Sequence, residues 1–276
     1  MNILLSNDDG VNAVGIAVLY EHLSKEHNVT VIAPDRNCSG MSNALSLHTP
    51  LRIEQMPNGF YAVNGTPSDC VQLGINRLMK KKPSGCKEPL AYKEPLAYKE
   101  PSAYKEPDLV VSGINHGPNL GDDTIYSGTV AAALEGRHMG LPAVAVSLCS
   151  KKENYFNTAA RLTCDIIRRL ASHPLGPNEI LNVNVPAIPY DSINGICATR
   201  LGKRHRAETM VESEDPFGRT IYWYGKLGSE QDAGEGTDFY AVNNGYCSVT
   251  PLSVDMTVHE KVSKMNAWLK TTEPKA

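Results

Sequence analysis

The sequence predicts an α/β fold, a doubly wound and mostly parallel sheet followed by a smaller β-rich C-terminal region and a C-terminal helix. Three observations predict it. Short apolar runs alternate with amphipathic segments of helical period through the first two thirds of the chain. Those runs are apolar at consecutive rather than alternate positions, as in parallel strands covered on both faces. After Leu181-Asn182-Val183-Asn184-Val185 the texture changes to short β-rich pieces separated by Gly, Asp and Asn.

Ile3 to Ser6 is an apolar run with a turn signal behind it, and Gly15 to Lys25 then places Ile16, Leu19, Tyr20 and Leu23 on one helical face. Val29 to Ala33 follows as a β-branched run, and the connections are short enough for a strand-helix-strand unit. The alternation resumes with a helix at Asp69 to Met79, a strand at Asp108 to Ser112, a helix at Ser127 to Met139 and a strand at Ala143 to Ser147. An amphipathic helix from Asn154 to Leu170 leads into the 181–185 strand. Beyond it Thr220 to Tyr224, Tyr240 to Val242 and Cys247 to Thr250 read as β pieces, closed by a helix from Val258 to Leu269. The expected organisation is an α/β domain over 1–186 and a smaller β-rich region over 187–276. Arms of this kind commonly pair with another subunit, because an isolated hairpin is barely stable alone.

Of the 276 residues, 41% are hydrophobic and 21% charged, a composition that supports a sizeable core. Lys plus Arg is 27 against 30 for Asp plus Glu, a formal charge of -3, and the longest run of like charge is Lys80-Lys81-Lys82. That balance speaks against a nucleic-acid partner. No stretch approaches the ~20 apolar residues of a spanning helix, and the N-terminal apolar run is too short for a signal peptide. A cytoplasmic protein without membrane attachment is the expectation. The seven cysteines, at 38, 70, 86, 149, 164, 197 and 247, are never in C-x-x-C spacing and read as reduced, mostly buried thiols.

One segment breaks the pattern. Lys87 to Tyr92 reads KEPLAY, Lys93 to Tyr98 repeats it, Lys99 to Tyr104 gives KEPSAY, and Lys105-Glu106-Pro107 opens a fourth copy. A proline in each copy blocks helix interiors and central strands, and PxxP spacing is absent. The insertion over 87–106 therefore reads as a tandem duplication in a surface loop, since each doubling of loop length costs only ~0.6 kcal/mol in closure.

Three loops carry the chemistry. Asp8 and Asp9 follow a buried strand and so fall at the carboxyl edge of the sheet, where folds of this class place their sites. Adjacent carboxylates repel and need a cation, a basic partner or water; the plainer alternative is a turn that caps the next helix. Ala33 to Gly40, after the second strand, offers small oxygen-bearing residues, although Ser39 alone fits a cap or turn as well. Ser112 to Asp123 is a glycine-rich stretch running into Ser127-Gly128-Thr129 at a helix start, where unpaired N–H groups suit an anion. Its alternative is a structured loop with Ser127 or Thr129 as cap and Asn115 or Asn119 in an Asx-turn. All three loops supply hard oxygen ligands or anion donors and none clusters His or Cys, a combination that selects Mg²⁺ or Mn²⁺. Neither a P-loop nor a G-x-G-x-x-G after the first strand is present.

The segments Ile3 to Gly10, Ala33 to Gly40 with Ser42-Asn43-Ala44-Leu45, Asn64 to Val71, and Val111 to Gly136 together resemble the SurE family, the survival-protein nucleotidases. Arg200 to Glu208, Gly236 to Val242 and Gly245 to Asp255 continue the likeness, which spans nearly the whole chain except the KEPLAY insertion. The resemblance implies a Rossmann-like N-terminal domain, a C-terminal arm exchanged between subunits, and a homodimer or homotetramer. It implies hydrolysis of nucleoside 5′- and 3′-monophosphates and leaves short-chain polyphosphate open as a further substrate. It assigns one divalent metal ion per subunit to Asp8, Asp9, Ser39 and Asn115. Asp8 or Asp9 would then orient or deprotonate the attacking water, and Asn43, Ser127, Gly128 and Thr129 would hold the phosphate. Two positions depart from the family pattern: Phe217 stands where Arg would match better, and Cys38 where Gln is more usual.

His116 and His205 read as loop or interface residues rather than acids, and Tyr222-Trp223-Tyr224 as core or subunit contacts rather than a base platform. A haloacid-dehalogenase mechanism needs D-x-D spacing, which the adjacent aspartates lack. A nucleotide sensor without turnover is the rival of another class, and phosphate release from AMP separates the two.

Overall fold

A computed structural model describes residues 1–79, 105–150, 153–176, 179–205 and 209–271. The KEPLAY repeats at 87–104 lie outside them, as does the 206–208 end of the Arg200 to Glu208 segment.

The chain runs β1 (Asn2–Ser6), α1 (Val14–Leu23), β2 (Asn28–Pro34), β3 (Ile53–Gln55), β4 (Tyr61–Val63), α2 (Pro67–Leu73), β5 (Leu109–His116), α3 (Gly128–His138), β6 (Ala143–Cys149), α4 (Phe156–Leu170) and β7 (Glu179–Pro186). Next come β8 (Ile196–Ala198), β9 (Lys203–Arg204), β10 (Val211–Glu214), β11 (Thr220–Trp223), β12 (Glu230–Asp232), α5 (Asp238–Asn243), β13 (Cys247–Ser253) and α6 (His259–Thr271). Nine strands form one sheet in the order β3-β4-β2-β1-β5-β6-β7-β13-β8. The six from β4 to β7 are parallel, β3 is antiparallel at one edge, and β13 runs antiparallel to β7.

Strand alternation builds two cores. Ile3, Leu5, Val31, Val111 and Val146 face α1 and α4, whereas Leu4, Ile32, Val110 and Ala145 face α2 and α3. The helices therefore cover both faces, as the consecutive apolar runs predict. Helix α3 lies close on the sheet because Gly136 has no side chain; a Cβ there would stand 2.6 Å from Val110.

Chain order reverses beside β1. From β1 the chain steps outward to β2 and β4, then crosses back to place β5 on the other flank of β1. The carboxyl ends of β1 and β5 are the topological switch point, where neighbouring loops diverge and leave a crevice.

Several expectations change. Tyr240 to Val242 lies within the short helix α5, not a strand, because Thr237 accepts from the Tyr240 amide as an N-cap. The helix expected at Asp69 to Met79 begins at Pro67, where Thr66 and Asp69 form a reciprocal capping box, and it continues over Gly74–Met79 as a π-helix. Strands β13 and β8, both after residue 187, extend the main sheet beyond β7. The β10–β11 hairpin and α6 protrude: Tyr222, Trp223, Tyr224, Val262, Met265, Trp268 and Leu269 are all exposed, so the Tyr-Trp-Tyr cluster is not core. No helix among the described residues is long and apolar enough to cross a membrane.

Candidate active site

The turn after β1 is built to present two acids. The Asn7 side chain bridges it, donating to the Gly10 carbonyl at 3.0 Å and accepting from the Gly10 amide at 3.2 Å. Gly10 takes φ 103°, and a Cβ there would meet the Arg36 carbonyl oxygen at 3.0 Å, so only glycine lets this turn sit against the loop after β2.

Asp8 is buried, with 3% of its surface exposed. The Thr129 hydroxyl donates to its Oδ1 at 2.5 Å. Gly128 backs directly onto it, since a Cβ there would lie 2.7 Å from Asp8 Cβ and 2.8 Å from Oδ2. Asp9 is half-buried and accepts the His116 amide on Oδ2 at 3.0 Å. Burial pushes the Asp8 carboxyl up to about 6; the Thr129 bond pulls against that shift and the neighbouring Asp9 charge adds to it. Burial also raises Asp9, opposed by the His116 amide.

The other expected residues lie on the neighbouring loops, and none of the side chains of Ser39, Asn43 and Asn115 makes a hydrogen bond to Asp8 or Asp9 among the described residues. Asn115 ends β5 beside His116; its Nδ2 donates to the Gly117 carbonyl at 2.8 Å, which leaves the amide oxygen as the free end. The Cys38 amide donates to the Asp8 carbonyl at 2.7 Å, which brings the exposed Ser39 alongside. Ser42 adopts φ 49° and ties its loop to the approach of α3, its hydroxyl donating to the Ile125 carbonyl at 2.7 Å and its amide to that of Tyr126 at 3.2 Å. Asn43 next to it is exposed and lines a groove with Thr124 and Tyr126. Ser127 caps α3, accepting from the Val130 amide at 3.1 Å. The amides of Gly128 and Thr129 open the helix and have no intrahelical acceptor. The Thr129 hydroxyl and amide both act on Asp8, so the Gly128 amide is what this helix end offers a further anion.

A divalent ion fits this donor set. Neither Asp8 nor Asp9 is in an ion pair among the described residues, and the basic group that acts on Asp9 is His116. The combined charge of the two carboxylates would match one divalent cation. Among the described residues no group of three or more His, Cys, Asp and Glu is arranged to hold a metal.

Some contributors escape the motif reading. Asn119 donates through its amide to Asn184 Oδ1 at 2.9 Å and through Nδ2 to Ser147 Oγ at 2.7 Å. Its carbonyl accepts Asn182 Nδ2 at 2.9 Å and Asn184 Nδ2 at 3.0 Å. Buried asparagines at alternate positions of an otherwise apolar strand were the available signal. Cys38 is buried with Sγ 3.7 Å from the Gly65 carbonyl, and Phe217 is exposed at the hairpin turn. A solvated cavity of about 400 Å³ adjoins Asp9, bounded by Asn12, Arg36, Asn37 and His116. His205 is exposed, with its amide donating to the Ser229 carbonyl at 2.8 Å.

A doubly wound sheet with a buried carboxylate at its switch point, set against a helix N-terminus, defines a class: α/β proteins with a polar site at the carboxyl edge of a parallel sheet. The sequence pattern of the survival protein SurE family matches residues 3–89 and 91–208, and the chain belongs to that family. It is 56% identical to a protein named 5′-nucleotidase SurE from Pseudoalteromonas atlantica over 98% of this chain and 99% of that one. It is 50% identical to a protein of the same name from Idiomarina loihiensis, with 98% of each covered. The crystal structure of the SurE protein from Aquifex aeolicus superposes with a TM-score of 0.77 at 39% identity, covering 98% of this chain and all of the other.

Proposed function

We propose that this chain is a divalent-metal-dependent nucleotidase, a phosphoric monoester hydrolase that releases phosphate from nucleoside 5′- and 3′-monophosphates. The observation that carries the reading is the contact of Asp8 with Gly128 and Thr129, which sets a carboxylate against an anion-binding helix end. Asp8, Asp9, Ser39 and Asn115 would hold one Mg²⁺ or Mn²⁺. Such an ion, when bound, supplies Lewis acidity toward phosphoryl oxygens and lowers the pKa of coordinated water.

The chain's own groups do the rest. The Gly128 amide and the Thr129 amide that Asp8 shares, with the Ser127 hydroxyl and the Asn43 amide, receive the phosphoryl oxygens and offset charge as it spreads over them. Thr129 fixes Asp8 in one rotamer, and the His116 amide fixes Asp9, so both acids are oriented before substrate arrives. Asp9 borders the solvated cavity and is the better placed of the two to orient or deprotonate water. Short-chain polyphosphate presents the same terminal phosphoryl group and belongs to the same test.

Homo-oligomerisation through the C-terminal region is part of the proposal. The β10–β11 hairpin and α6 display aromatic and aliphatic side chains to solvent, a surface suited to a second copy of the chain.

The test is phosphate release from 5′-AMP, 3′-AMP and tripolyphosphate with Mn²⁺ or Mg²⁺. EDTA should abolish it. Activity that survives chelation, or none on any nucleotide, overturns the reading.

A further inference from the structure

Residues 117–126 join β5 to α3 and are held from two sides. Asn119 is fixed to β6 and β7 by the bonds described above. Two residues on, the Gly121 amide donates to Asp238 Oδ2 at 2.7 Å, although 117 positions separate them in sequence. Oδ1 of the same carboxylate accepts the Gly202 amide at 2.8 Å and the Phe239 amide at 3.0 Å. The three segments are in tight contact. A Cβ on Gly121, whose φ is 53°, would stand 2.6 Å from the Phe239 ring and 2.9 Å from the Gly202 carbonyl oxygen.

Beside this clamp, Arg204 Nε donates to Asp123 Oδ2 at 2.8 Å and its guanidinium lies 4.7 Å from the Phe239 ring centre. Asp238 itself is fully buried and in no ion pair among the described residues. Burial raises its carboxyl while the three amides pull it down. Burying a carboxylate costs stability that an apolar side chain would not. What a carboxylate adds is the ability to take amides from two distant segments at once.

We propose that Asp238 is a positioning residue for the hydrolytic reaction: by pinning Gly121 to Gly202 it fixes the path of 121–126, and with it the N-terminus of α3 where Gly128 and Thr129 touch Asp8. The segment Gly121–Tyr126 is a 3₁₀ turn that ends one residue before the Ser127 cap, so it transmits a displacement directly. Its Ile125 and Tyr126 carbonyls also anchor Ser42, so the Asn43 loop moves with it. This inference rests on the phosphohydrolase reading.

The experiment compares Asp238→Ala and Asp238→Asn in the full chain by two readouts. Amide hydrogen exchange without substrate should quicken at 117–130 and 200–204 in Asp238→Ala and stay unchanged in β1 and β2. With 5′-AMP and Mn²⁺, kcat should fall roughly ten- to a hundredfold, the cost of an ångström-scale misplacement, while KM moves less than about threefold. Asp238→Asn keeps one acceptor oxygen, should fold, and should fall between wild type and Asp238→Ala in both readouts. Kinetic constants within about twofold of wild type would overturn the proposal. So would faster exchange spread evenly over the sheet with unchanged kcat per folded molecule, the mark of a purely structural role. If the wild type releases no phosphate from any nucleotide, the functional reading fails by itself, and unchanged exchange at 117–130 in both variants would remove the clamp as well.

Discussion

Replacing Gly128 with Ala tests the site through a single methyl group. That methyl would stand 2.7 Å from Asp8 Cβ and 2.8 Å from Oδ2, whereas ordinary contact begins at 3.4 Å, so helix or acid must retreat by ~0.7 Å. Asp8 has little freedom to absorb the shift: β1 is paired on both sides, and Thr129 holds Oδ1. The fold should survive. Overpacking costs about 1–3 kcal/mol, and the better helix propensity of Ala counts for little at the first helical residue, so the net loss is ~1–2 kcal/mol, the low end of that range, if the helix end shifts. At about 2–4 °C per kcal/mol for a chain of this size, Tm drops by less than about 8 °C. Activity should suffer more, because a shift approaching an ångström at a reacting group costs on the order of a hundredfold in kcat/KM. Gly136→Ala on the same helix is the control. Its methyl would crowd Val110 at 2.6 Å, about 12 Å along the axis from Gly128, so it should lower Tm while sparing kcat/KM. The assay is phosphate release from 5′-AMP with Mn²⁺, alongside thermal melting. A Gly128→Ala enzyme within about threefold of wild type would refute the placement of Asp8 at the chemistry.

Asp8→Asn and Asp9→Asn should each reduce turnover by at least ~10²-fold, the scale of losing one group that stabilises transition-state charge. In EDTA the Asp8→Asn protein should melt no lower than wild type, because one of two adjacent buried charges is gone. Mn²⁺ at a hundred times its Kd should stabilise wild type by about 2.7 kcal/mol and Asp8→Asn far less; equal shifts would place the ion elsewhere. Truncation after Val258 removes α6 with its exposed Val262, Met265, Trp268 and Leu269, and light scattering should then report a smaller assembly or a monomer. Deleting residues 87–104 should leave kcat/KM for 5′-AMP within about twofold, as loop length enters stability only logarithmically; a tenfold loss would give the repeats a direct role.

The doubly wound core was legible because its signals are local and repeated. Ile3 to Ser6, Val29 to Ala33 and Ala143 to Ser147 are apolar at successive positions, and α4 keeps its amphipathic period for four turns, so burial and periodicity agree. Pieces of two to four residues were not. Strands β3, β9 and β12 are polar or mixed, β4 and β8 are only three residues long, and all five are strands because a neighbour supplies hydrogen bonds, information that no window of the sequence holds. Tyr240 to Val242 misled by its β-prone side chains, and the cap at Thr237 decided for helix. At the site, motif positions located the loops, but the pairing of Thr129 with Asp8 spans 121 residues and that of Asp238 with Gly121 spans 117. Side-chain partners at such separations depend on the finished topology.

The sheet has a direction that its chemistry follows. Near the amino ends of the parallel strands, Ile3, Leu4, Val110, Ala143 and Ile180 are buried and apolar. Toward the carboxyl ends, burial persists but the residues become Ser6, Asn7 and Asp8 on β1 and its turn, Ser112 on β5, Ser147 on β6, and Asn182 and Asn184 on β7. A fold selected for stability alone would keep both halves apolar, since every buried polar group must recover its lost hydration through a partner. Asn184 does so by pairing with Asn119 through both ends of its amide, but Asn182 Oδ1 and the hydroxyls of Ser6 and Ser112 have no partner among the described residues, and Asp8 has only N–H and O–H donors where a carboxylate favours a cation. Ser68 on α2 and His27 ahead of β2 also hold unpartnered buried atoms, but Ser6, Ser112, His116 and Asn182 put such atoms on three strands of the sheet, a pattern that fits a binding site. The shortfall is one of positive charge, and it lies between the acid pair and the first amides of α3, where a divalent ion and a phosphate together would remove it.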